Sequence, residues 1–297
     1  MHRCRGRNGI KALVASLCLA ALTSTFTGTC TASPPERVVV PSLDARHGES
    51  VGLPGHWFHA AVAGPAPAVL ALHGCGGLFD ARGALAPRYV DLAARLNALG
   101  VHMLVTDSLT PRGEKELCTQ PAGQRQVTQL QRRRDALGGL QWLAAQPGVD
   151  AARLGLLGWS NGGSTVLAAT NQRHPEVAAA TLRPTLAVAF YPGCGGELAR
   201  GYAGSAPLLM LLGEADDWTP AAECKVLAGA ANTAVQVESY AGAFHGFDGT
   251  GPVRLRRDVP NGVNPGQGVH VGGNPAARAA AAVRLDQFVR ETWALAR

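Results

Sequence analysis

Ser160 lies in a sequence pattern that can make a serine nucleophilic. Residues 158–163 read GWSNGG and contain the motif G-x-S-x-G. The mostly apolar run 153–157 before it predicts a buried strand, and residues 164–169 after it predict a helix. A strand, a glycine-flanked turn and a helix are typical of a nucleophile elbow, which exposes the serine hydroxyl above a sheet. The N-terminus of the helix would also point unpaired N–H groups at developing negative charge.

A serine hydroxyl needs a base to take its proton, usually a histidine that a carboxylate holds in place. After a nucleophile elbow the chain order is serine, acid, histidine. Three histidines follow Ser160, namely His174, His245 and His270. His174 ends the helix after the serine and would point away from the site, and His270 lies in an irregular segment. His245 follows the last predicted strand, residues 235–240, so we predict that it is the base.

Three carboxylates compete for the role of the acid. The predicted strand 207–212 leads into loop 213–220, which contains Glu214, Asp216 and Asp217. We predict that Asp216 is the acid because of its distance from both ends of the loop. Asp217 would then cap the following helix or face solvent.

The oxyanion of a tetrahedral intermediate must meet fixed N–H donors. One donor is expected to be the backbone N–H of Asn161, the residue after the serine. The second is expected from loop 73–77 (HGCGG), whose glycines let the backbone approach a substrate closely. We predict the N–H of Cys75 for this donor, with Gly74 as the alternative.

Three aromatic residues, Trp159, Tyr191 and Trp218, lie beside the predicted site in the sequence. They could line an apolar pocket for an acyl or aryl group. Packing against the sheet explains them equally well, so both interpretations stay open at this point.

The first 32 residues have the composition of a secretory signal peptide. Residues 1–11 carry four basic residues and no acidic one, residues 12–21 are apolar, and residues 27–32 are small and polar. A membrane anchor is less favoured because the apolar run is too short to span a bilayer. We therefore predict a single mature domain, residues 33–297, exported to the periplasm or secreted.

Charge and hydropathy exclude two classes of partner. The full chain has a formal charge of +6, and removal of a leader with four basic and no acidic residues would lower it to +2. Such a charge cannot supply the many phosphate contacts that nucleic-acid binding requires. No run after the leader is long and apolar enough to span a membrane. The one dense basic run, residues 132–134, is expected to form a solvated helix face.

Apolar strands alternate with helical segments along the mature chain, and the strands are continuously apolar. This pattern predicts an α/β domain whose mostly parallel sheet is covered by helices on both faces. Residues 247–274 are rich in Gly, Pro and Asn, so we expect them to be irregular. A loop of this length is either functional or a disordered surface insertion.

Four cysteines remain after the leader, Cys75, Cys118, Cys194 and Cys224. An even number in an exported chain suggests two disulfides, and three pairings are possible. A disulfide also explains Cys75 better than a reactive thiol does. No spacing of Cys and His is typical of a zinc site, so we expect no metal.

Together these motifs resemble the dienelactone hydrolase family of α/β-hydrolases, and the resemblance covers roughly residues 50–295. The similar segments are 72–78 (LHGCGGL), 107–113 (DSLTPRG), 158–163 (GWSNGG), 213–220 (GEADDWTP) and 244–247 (FHGF). The resemblance implies an α/β-hydrolase sheet and hydrolysis without a cofactor. It also implies Ser160, Asp216 and His245 as a catalytic triad.

The chain departs from the family's namesake enzyme at the nucleophile. That enzyme has a cysteine that a nearby glutamate keeps in check, whereas this chain has Ser160 and no glutamate in loop 73–77. A serine suits a broader hydrolase of carboxylic esters.

The implied fold also suggests the disulfides, because loops that follow neighbouring strands lie close together. On this basis Cys75 would pair with Cys118, and Cys194 would pair with Cys224.

The leading hypothesis is an exported serine esterase that cleaves a small-molecule ester or lactone through an acyl-enzyme. A peptidase related to the prolyl oligopeptidases would share the triad, but this chain has no room for the large extra domain that those enzymes usually carry. The third hypothesis is a binding protein on an inactive hydrolase fold, which the presence of serine, acid and histidine disfavours.

Overall fold

An eight-stranded sheet runs through the centre of the protein. The structure, a computed structural model, describes residues 34–296, and the predicted signal peptide, residues 1–32, lies outside them. The strands are β1 (Glu36–Arg46), β2 (Glu49–Phe58), β3 (Ala66–Leu72), β4 (His102–Thr106), β5 (Val149–Trp159), β6 (Leu186–Phe190), β7 (Leu208–Gly213), β8 (Val235–Tyr240), β9 (Arg254–Arg256) and β10 (Val269–Val271). The helices are α1 (Pro87–Ala98), α2 (Gln129–Ala144), α3 (Asn161–Thr170), α4 (Pro175–Ala178), α5 (Gly195–Arg200), α6 (Ala221–Ala230) and α7 (Pro275–Trp293).

The order of strands in the sheet is β1-β2-β4-β3-β5-β6-β7-β8. Strands β1 and β2 form an antiparallel hairpin, and β2 pairs antiparallel with β4. Every later pair in this order is parallel. Parallel neighbours need crossover connections, which the intervening helices supply. The mostly parallel α/β sheet predicted from the sequence is therefore confirmed.

Helices cover both faces of this sheet. Helices α2, α3 and α6 pack on one face, and α1 and α7 pack on the other. In β3 the side chains of Leu70 and Leu72 join the first layer, and those of Val69 and Ala71 join the second. Burial on both faces explains why the strand is continuously apolar in sequence, and each buried leucine or valine contributes about 1.5–3 kcal/mol. Within the described residues, no helix has both the length and the apolar character needed to cross a membrane.

Segment 247–274 is mostly irregular, as its composition predicts, but it contains a small antiparallel ribbon of β9 and β10. The backbone of Val271 forms a bridge with His245. The N–H of Gly272 also donates to the carbonyl oxygen of His245 at 3.0 Å. The segment therefore packs against the loop that carries His245.

The basic run 132–134 does not form the solvated helix face that its composition suggests. Arg132 and Arg133, both in α2, are buried, with 1% and 8% of their surface exposed. The Nε atoms of Arg133 and Arg134 lie 2.5 and 3.3 Å from the carboxylate of Glu176. A charge run gives no sign of such partners, because they lie far away in the sequence.

Asp135 is the centre of a buried ionic network that ties α2 to the N-terminal hairpin. Its carboxylate is fully buried and accepts two hydrogen bonds from Arg112, at 2.7 and 2.9 Å. The same guanidinium donates to Asp44 of β1 at 2.9 Å. Ser42 donates to Asp135 at 2.5 Å. Buried charges of this kind are stable only while each keeps its partners.

We predict that Asp135→Asn lowers the free energy of unfolding by about 3 kcal/mol, because Arg112 loses one of its two buried carboxylate partners. Asp150→Asn is the control, since Asp150 forms a partly exposed pair with Arg153 at 2.6 Å. This control should lose less than about 1 kcal/mol. Chemical denaturation measures both losses, and equal values would show that the buried network does not hold α2 in place.

Candidate active site

Ser160 stands on a sharp turn between the end of β5 and the start of α3. Its φ is 53° and its ψ is −118°, and a positive φ is uncommon for a residue with a side chain. Its N–H donates to the carbonyl oxygen of Phe190 in the neighbouring β6 at 2.9 Å. The strained turn is the geometry that a nucleophile elbow requires.

Gly158 and Gly162 make this turn possible because the elbow has no space for side chains at either position. A Cβ on Gly158 would lie 2.2 Å from the carbonyl oxygen of Gly162. A Cβ on Gly162 would lie 2.1 Å from the carbonyl oxygen of Leu72, the last residue of β3. The first turn of α3 therefore packs directly on the end of β3, and the loop after β3 lies beside Ser160.

His245 reaches Ser160 from the loop after β8. Its Nε2 lies 2.9 Å from Oγ of Ser160, and only 4% of the residue is exposed. The rings of Trp218 and Tyr191 lie 4.6 and 4.7 Å from the imidazole, measured between centroids. These contacts hold the imidazole within hydrogen-bond reach of the hydroxyl, where it can act as a base.

Asp216 completes a continuous line of hydrogen bonds. Its Oδ2 lies 2.8 Å from Nδ1 of His245. Its Oδ1 accepts the backbone N–H groups of Trp218 and Thr219, both at 2.9 Å. With a carboxylate at Nδ1, the neutral imidazole carries its proton on that nitrogen and leaves Nε2 free to accept the proton of the serine.

Asp217, the neighbour of Asp216, neither caps the next helix nor stands free in solvent. Its Oδ2 lies 2.7 Å from Nδ1 of His270, and its Oδ1 accepts the N–H of the same residue at 2.8 Å. Asp217 therefore ties segment 247–274 to the loop that carries Asp216.

The other candidates from the sequence have different partners. Glu214 forms an exposed ion pair with a lysine at 2.6 Å. His174 pairs with Glu197 at 3.0 Å and not with Ser160.

The loop after β3 is fixed by a buried histidine. Nδ1 of His73 donates to the carbonyl oxygen of Gly74 at 2.7 Å, and its Nε2 accepts the N–H of Ser108 at 3.1 Å. Burial, with a smaller contribution from the positive charge of Arg132, lowers the pKa of His73 well below its ordinary value. The imidazole is therefore neutral at pH 7, which matches one donating and one accepting nitrogen.

Cys75 and Asn161 line the same cavity as Ser160. In a trans peptide the N–H points away from the C=O, so the bond from His73 to the Gly74 oxygen turns the Cys75 N–H to the opposite side. Asn161 is the first residue of α3, where N–H groups have no intrahelical partner. Neither N–H donates to another group within residues 34–296. Both are available to a bound anion.

A cavity of about 420 Å³ lies over Ser160. Segment 247–274 contributes Asn261 to its wall, so this segment borders the site. The residues that line the cavity are Cys75, Ala122, Arg125, Val127, Thr128, Gln129, Ser160, Asn161, Ser164, Gly193, Gly196, Glu197, Trp218, Thr219 and Asn261.

Of the three aromatic candidates, only Trp218 belongs to this wall. Trp159 lines a separate cavity of about 710 Å³ between α1 and α7. Tyr191 is buried, and its hydroxyl donates to Asp248 at 2.6 Å. The indole N–H of Trp159 donates to the same carboxylate at 2.9 Å. Trp159 and Tyr191 therefore pack in the layer of the sheet under α1 and α7 and do not line the cavity over Ser160.

Two disulfides lie near the cavity, and each has one cysteine in a loop that lines it. Cys75 and Cys118 are linked with their Cα atoms 5.0 Å apart, and Cys194 and Cys224 with theirs 5.1 Å apart. The first bond connects the loops after β3 and β4, and the second connects the loop after β6 to α6. Each would stabilise the fold by about 2–4 kcal/mol. Residues 34–296 contain no cluster of His, Cys, Asp and Glu that could hold a metal ion.

Two residues outside the predicted set help to build the site. His73 holds the carbonyl oxygen of Gly74 and so fixes the peptide bond to Cys75. Its position at the start of a glycine-rich loop could have marked it in the sequence as a residue of the site. Thr219 donates its N–H to Asp216. No sequence signal marks Thr219 for this contact, because every residue except proline carries a backbone N–H.

Comparison with known proteins gives both a family and a fold. The family model described as the dienelactone hydrolase family matches residues 57–290. No curated protein matches this chain.

Three solved structures show how far the likeness extends. Esterase 2 of Thermogutta terrifontis phosphorylated by paraoxon has 18% identity and a TM-score of 0.62, with 90% of this chain and 97% of that one covered. The same esterase with propionate bound has 17% identity and a TM-score of 0.61, with 89% and 96% covered. A dienelactone hydrolase-like promiscuous phosphotriesterase from metagenomic libraries has 20% identity and a TM-score of 0.60, with 88% and 99% covered. At these identities the likeness shows a shared fold.

We predict that Gly162→Ala lowers the free energy of unfolding by about 3 kcal/mol, because the new Cβ would force α3 away from β3. Gly229→Ala is the matched control, since Gly229 lies in α6 and a Cβ there would meet nothing within 4 Å. This control should gain about 0.5–1 kcal/mol from its better helix propensity. Urea denaturation measures both changes, and a Gly162→Ala variant as stable as the control would contradict the close contact.

Proposed function

Because this chain belongs to the dienelactone hydrolase family and is a carboxylic-ester hydrolase, we propose that it cleaves small esters or lactones through Ser160, His245 and Asp216. The main support is the unbroken line of hydrogen bonds from Asp216 through His245 to Ser160, with lengths of 2.8 and 2.9 Å. This line ends at a cavity of about 420 Å³ that can hold a substrate.

The first half of the proposed reaction acylates Ser160. Its Oγ attacks the carbonyl carbon of the ester while its proton passes to Nε2 of His245, and Asp216 stabilises the imidazolium that forms. The former carbonyl oxygen becomes an oxyanion, which accepts the N–H groups of Cys75 and Asn161. The intermediate then collapses, and His245 gives its proton to the departing alcohol.

The second half hydrolyses the acyl-enzyme. His245 takes a proton from water, and the resulting hydroxide attacks the acyl carbon. A second oxyanion forms and accepts hydrogen bonds from the same two N–H groups. Collapse of this intermediate releases the carboxylic acid and returns the proton to Oγ of Ser160. Because both halves place the oxyanion in the same position, one pair of fixed donors serves the whole cycle.

The size and lining of the cavity favour a small substrate. Its volume of about 420 Å³ lies in the lower part of the range for small-molecule sites, about 300–1,000 Å³. Trp218 supplies an aromatic wall next to His245, while Gln129 and Asn261 supply polar groups. Esterase 2 of Thermogutta terrifontis is described with propionate bound and as phosphorylated by paraoxon. Short acyl esters and phosphorus electrophiles are therefore suitable probes of this chain.

We also propose that the protein acts outside the cytoplasm. The composition of residues 1–32 supports export. The two disulfides are compatible with an oxidising compartment, where such bonds persist.

We predict that Ser160→Ala abolishes hydrolysis of p-nitrophenyl acetate without unfolding the protein, because only the nucleophile is lost. Asp216→Asn should lower kcat by about 10⁴-fold, since an amide favours the wrong tautomer of His245. Asp217→Asn is the matched control, because Asp217 pairs with His270 instead, and it should keep a kcat close to that of the unaltered protein. If Asp217→Asn loses far more activity than Asp216→Asn, the acid is wrongly assigned.

Covalent labelling and a choice of substrates separate this proposal from its alternatives. A fluorophosphonate probe should attach to Ser160 in the folded protein, and the absence of an adduct would favour a non-catalytic binding protein. Faster cleavage of proline-containing peptide amides than of short p-nitrophenyl esters would favour a peptidase. Esters of graded acyl length would then define the acyl group.

We predict that the full chain, expressed in an export-competent bacterium, is recovered from the periplasm or the medium with its N-terminus near residue 33. Deletion of the apolar run 12–21 is the control and should leave the chain in the cytoplasm with its cysteines reduced. N-terminal sequencing and intact mass give the cleavage point. An exported protein that keeps residues 1–32 would contradict the predicted cleavage.

A further inference from the structure

A buried guanidinium lies behind the two segments that carry the proposed oxyanion donors, the loop after β3 and the start of α3. Arg132, in α2, has only 1% of its surface exposed. Its Nη1 donates to Oδ1 of Asn161 at 2.5 Å, and its Nη2 donates to the carbonyl oxygen of His73 at 2.7 Å. Arg132 is not part of the wall of the cavity over Ser160. It therefore contacts the site from behind and not from the side of the substrate.

Arg132 differs from Arg112 and Arg133 in the direct partners of its guanidinium. Arg112 pairs with Asp135, and Arg133 pairs with Glu176. Within residues 34–296, Arg132 forms no ion pair, and its buried Nε has no hydrogen-bond partner. Burial lowers the pKa of Arg132 to about 10, so the group is charged at neutral pH. Asp135 and Asp107 attract this charge from a distance. The direct contacts of the guanidinium go to Asn161 and His73 and not to a carboxylate, which indicates a role in holding those two residues.

The two acceptors of Arg132 belong to the two chain segments that carry the donors. The side-chain oxygen of Asn161 accepts a hydrogen bond from Arg132, and its backbone N–H is one of the two proposed donors. His73 offers its carbonyl oxygen to Arg132, while its ring holds the Gly74 oxygen and so orients the Cys75 N–H. The guanidinium is planar and rigid, so it sets the distance between the elbow and the loop after β3.

We propose that Arg132 is the positioning residue of the oxyanion hole, fixing the separation of the Cys75 and Asn161 N–H groups and placing a positive charge behind them. This inference rests on the proposed function. The oxyanion exists in the transition state and the intermediates but not in the bound ester. Arg132 should therefore raise kcat and leave substrate binding almost unchanged.

The main test is Arg132→Met. This variant removes the positive charge and the two guanidinium N–H donors, but it keeps a long side chain. We expect kcat for p-nitrophenyl acetate to fall by about 100-fold, the lower end of the effect of removing one oxyanion donor, with KM almost unchanged. Inhibition by phenylboronic acid, which forms an anionic tetrahedral adduct with a serine, should weaken in parallel with kcat/KM. Arg132→Lys keeps the charge without the planar fork and should recover part of the lost kcat.

Two further variants keep the test informative if Arg132→Met does not fold. Arg133→Met is the matched control in the next position of α2, because it loses the pair with Glu176. This control should lower the unfolding midpoint without lowering kcat. Asn161→Ala removes the Oδ1 acceptor of Arg132 but keeps the backbone N–H. It should lower kcat less than Arg132→Met does, again with KM almost unchanged.

Titration with a fluorophosphonate counts the active sites, so that kcat refers to folded protein. An unchanged kcat in Arg132→Met, or in Asn161→Ala if Arg132→Met does not fold, would overturn the inference. A raised KM with an unchanged kcat would overturn it too, because that result indicates a contact with substrate. Full turnover by Ser160→Ala would refute the proposed function itself. An inactive Ser160→Ala beside a fully active Arg132→Met would refute only the role of Arg132.

Discussion

The contact between the elbow and the end of β3 is the constraint on which the geometry of the site depends. Gly162 lies so close to the carbonyl oxygen of Leu72 that a Cβ would stand only 2.1 Å from it. This contact brings the loop after β3 beside Ser160, and it places Cys75 and Asn161 on one wall of the cavity. The positions of the proposed nucleophile and of both proposed donors therefore depend on the approach of two backbone segments, which Arg132 also joins.

The parts of the fold that depend on local signals could be predicted from the sequence. Continuously apolar strands such as β3 indicate burial on both faces, and the parallel sheet between two helical layers confirms that expectation. The family suggested by the motifs is confirmed over residues 57–290. The elbow could be located because its glycines are needed within a few residues of Ser160. The chain order of the candidate residues then led to Asp216 and His245, which the structure brings together with that serine.

The features that depend on distant contacts could not be predicted in this way. Successive residues at the end of a strand point to opposite faces of the sheet. Trp159 therefore packs in the layer under α1 and α7, although it precedes Ser160 directly. The three arginines of the run 132–134 are alike in sequence, yet the acceptors of Arg132 lie in two distant segments, the start of α3 and the loop after β3. Neither composition nor helical period carries information about such acceptors.

Cys75 combines two roles in one residue, since it is half of a disulfide and also carries a proposed donor N–H. A reductant that opens Cys75–Cys118 would free the donor loop from its covalent link to the loop after β4. The cytosolic glutathione pool keeps such thiols reduced. A chain in which this bond is open would therefore lack part of the restraint on its donors. The contacts of His73 with Gly74 and with Arg132 would then be left to hold this loop.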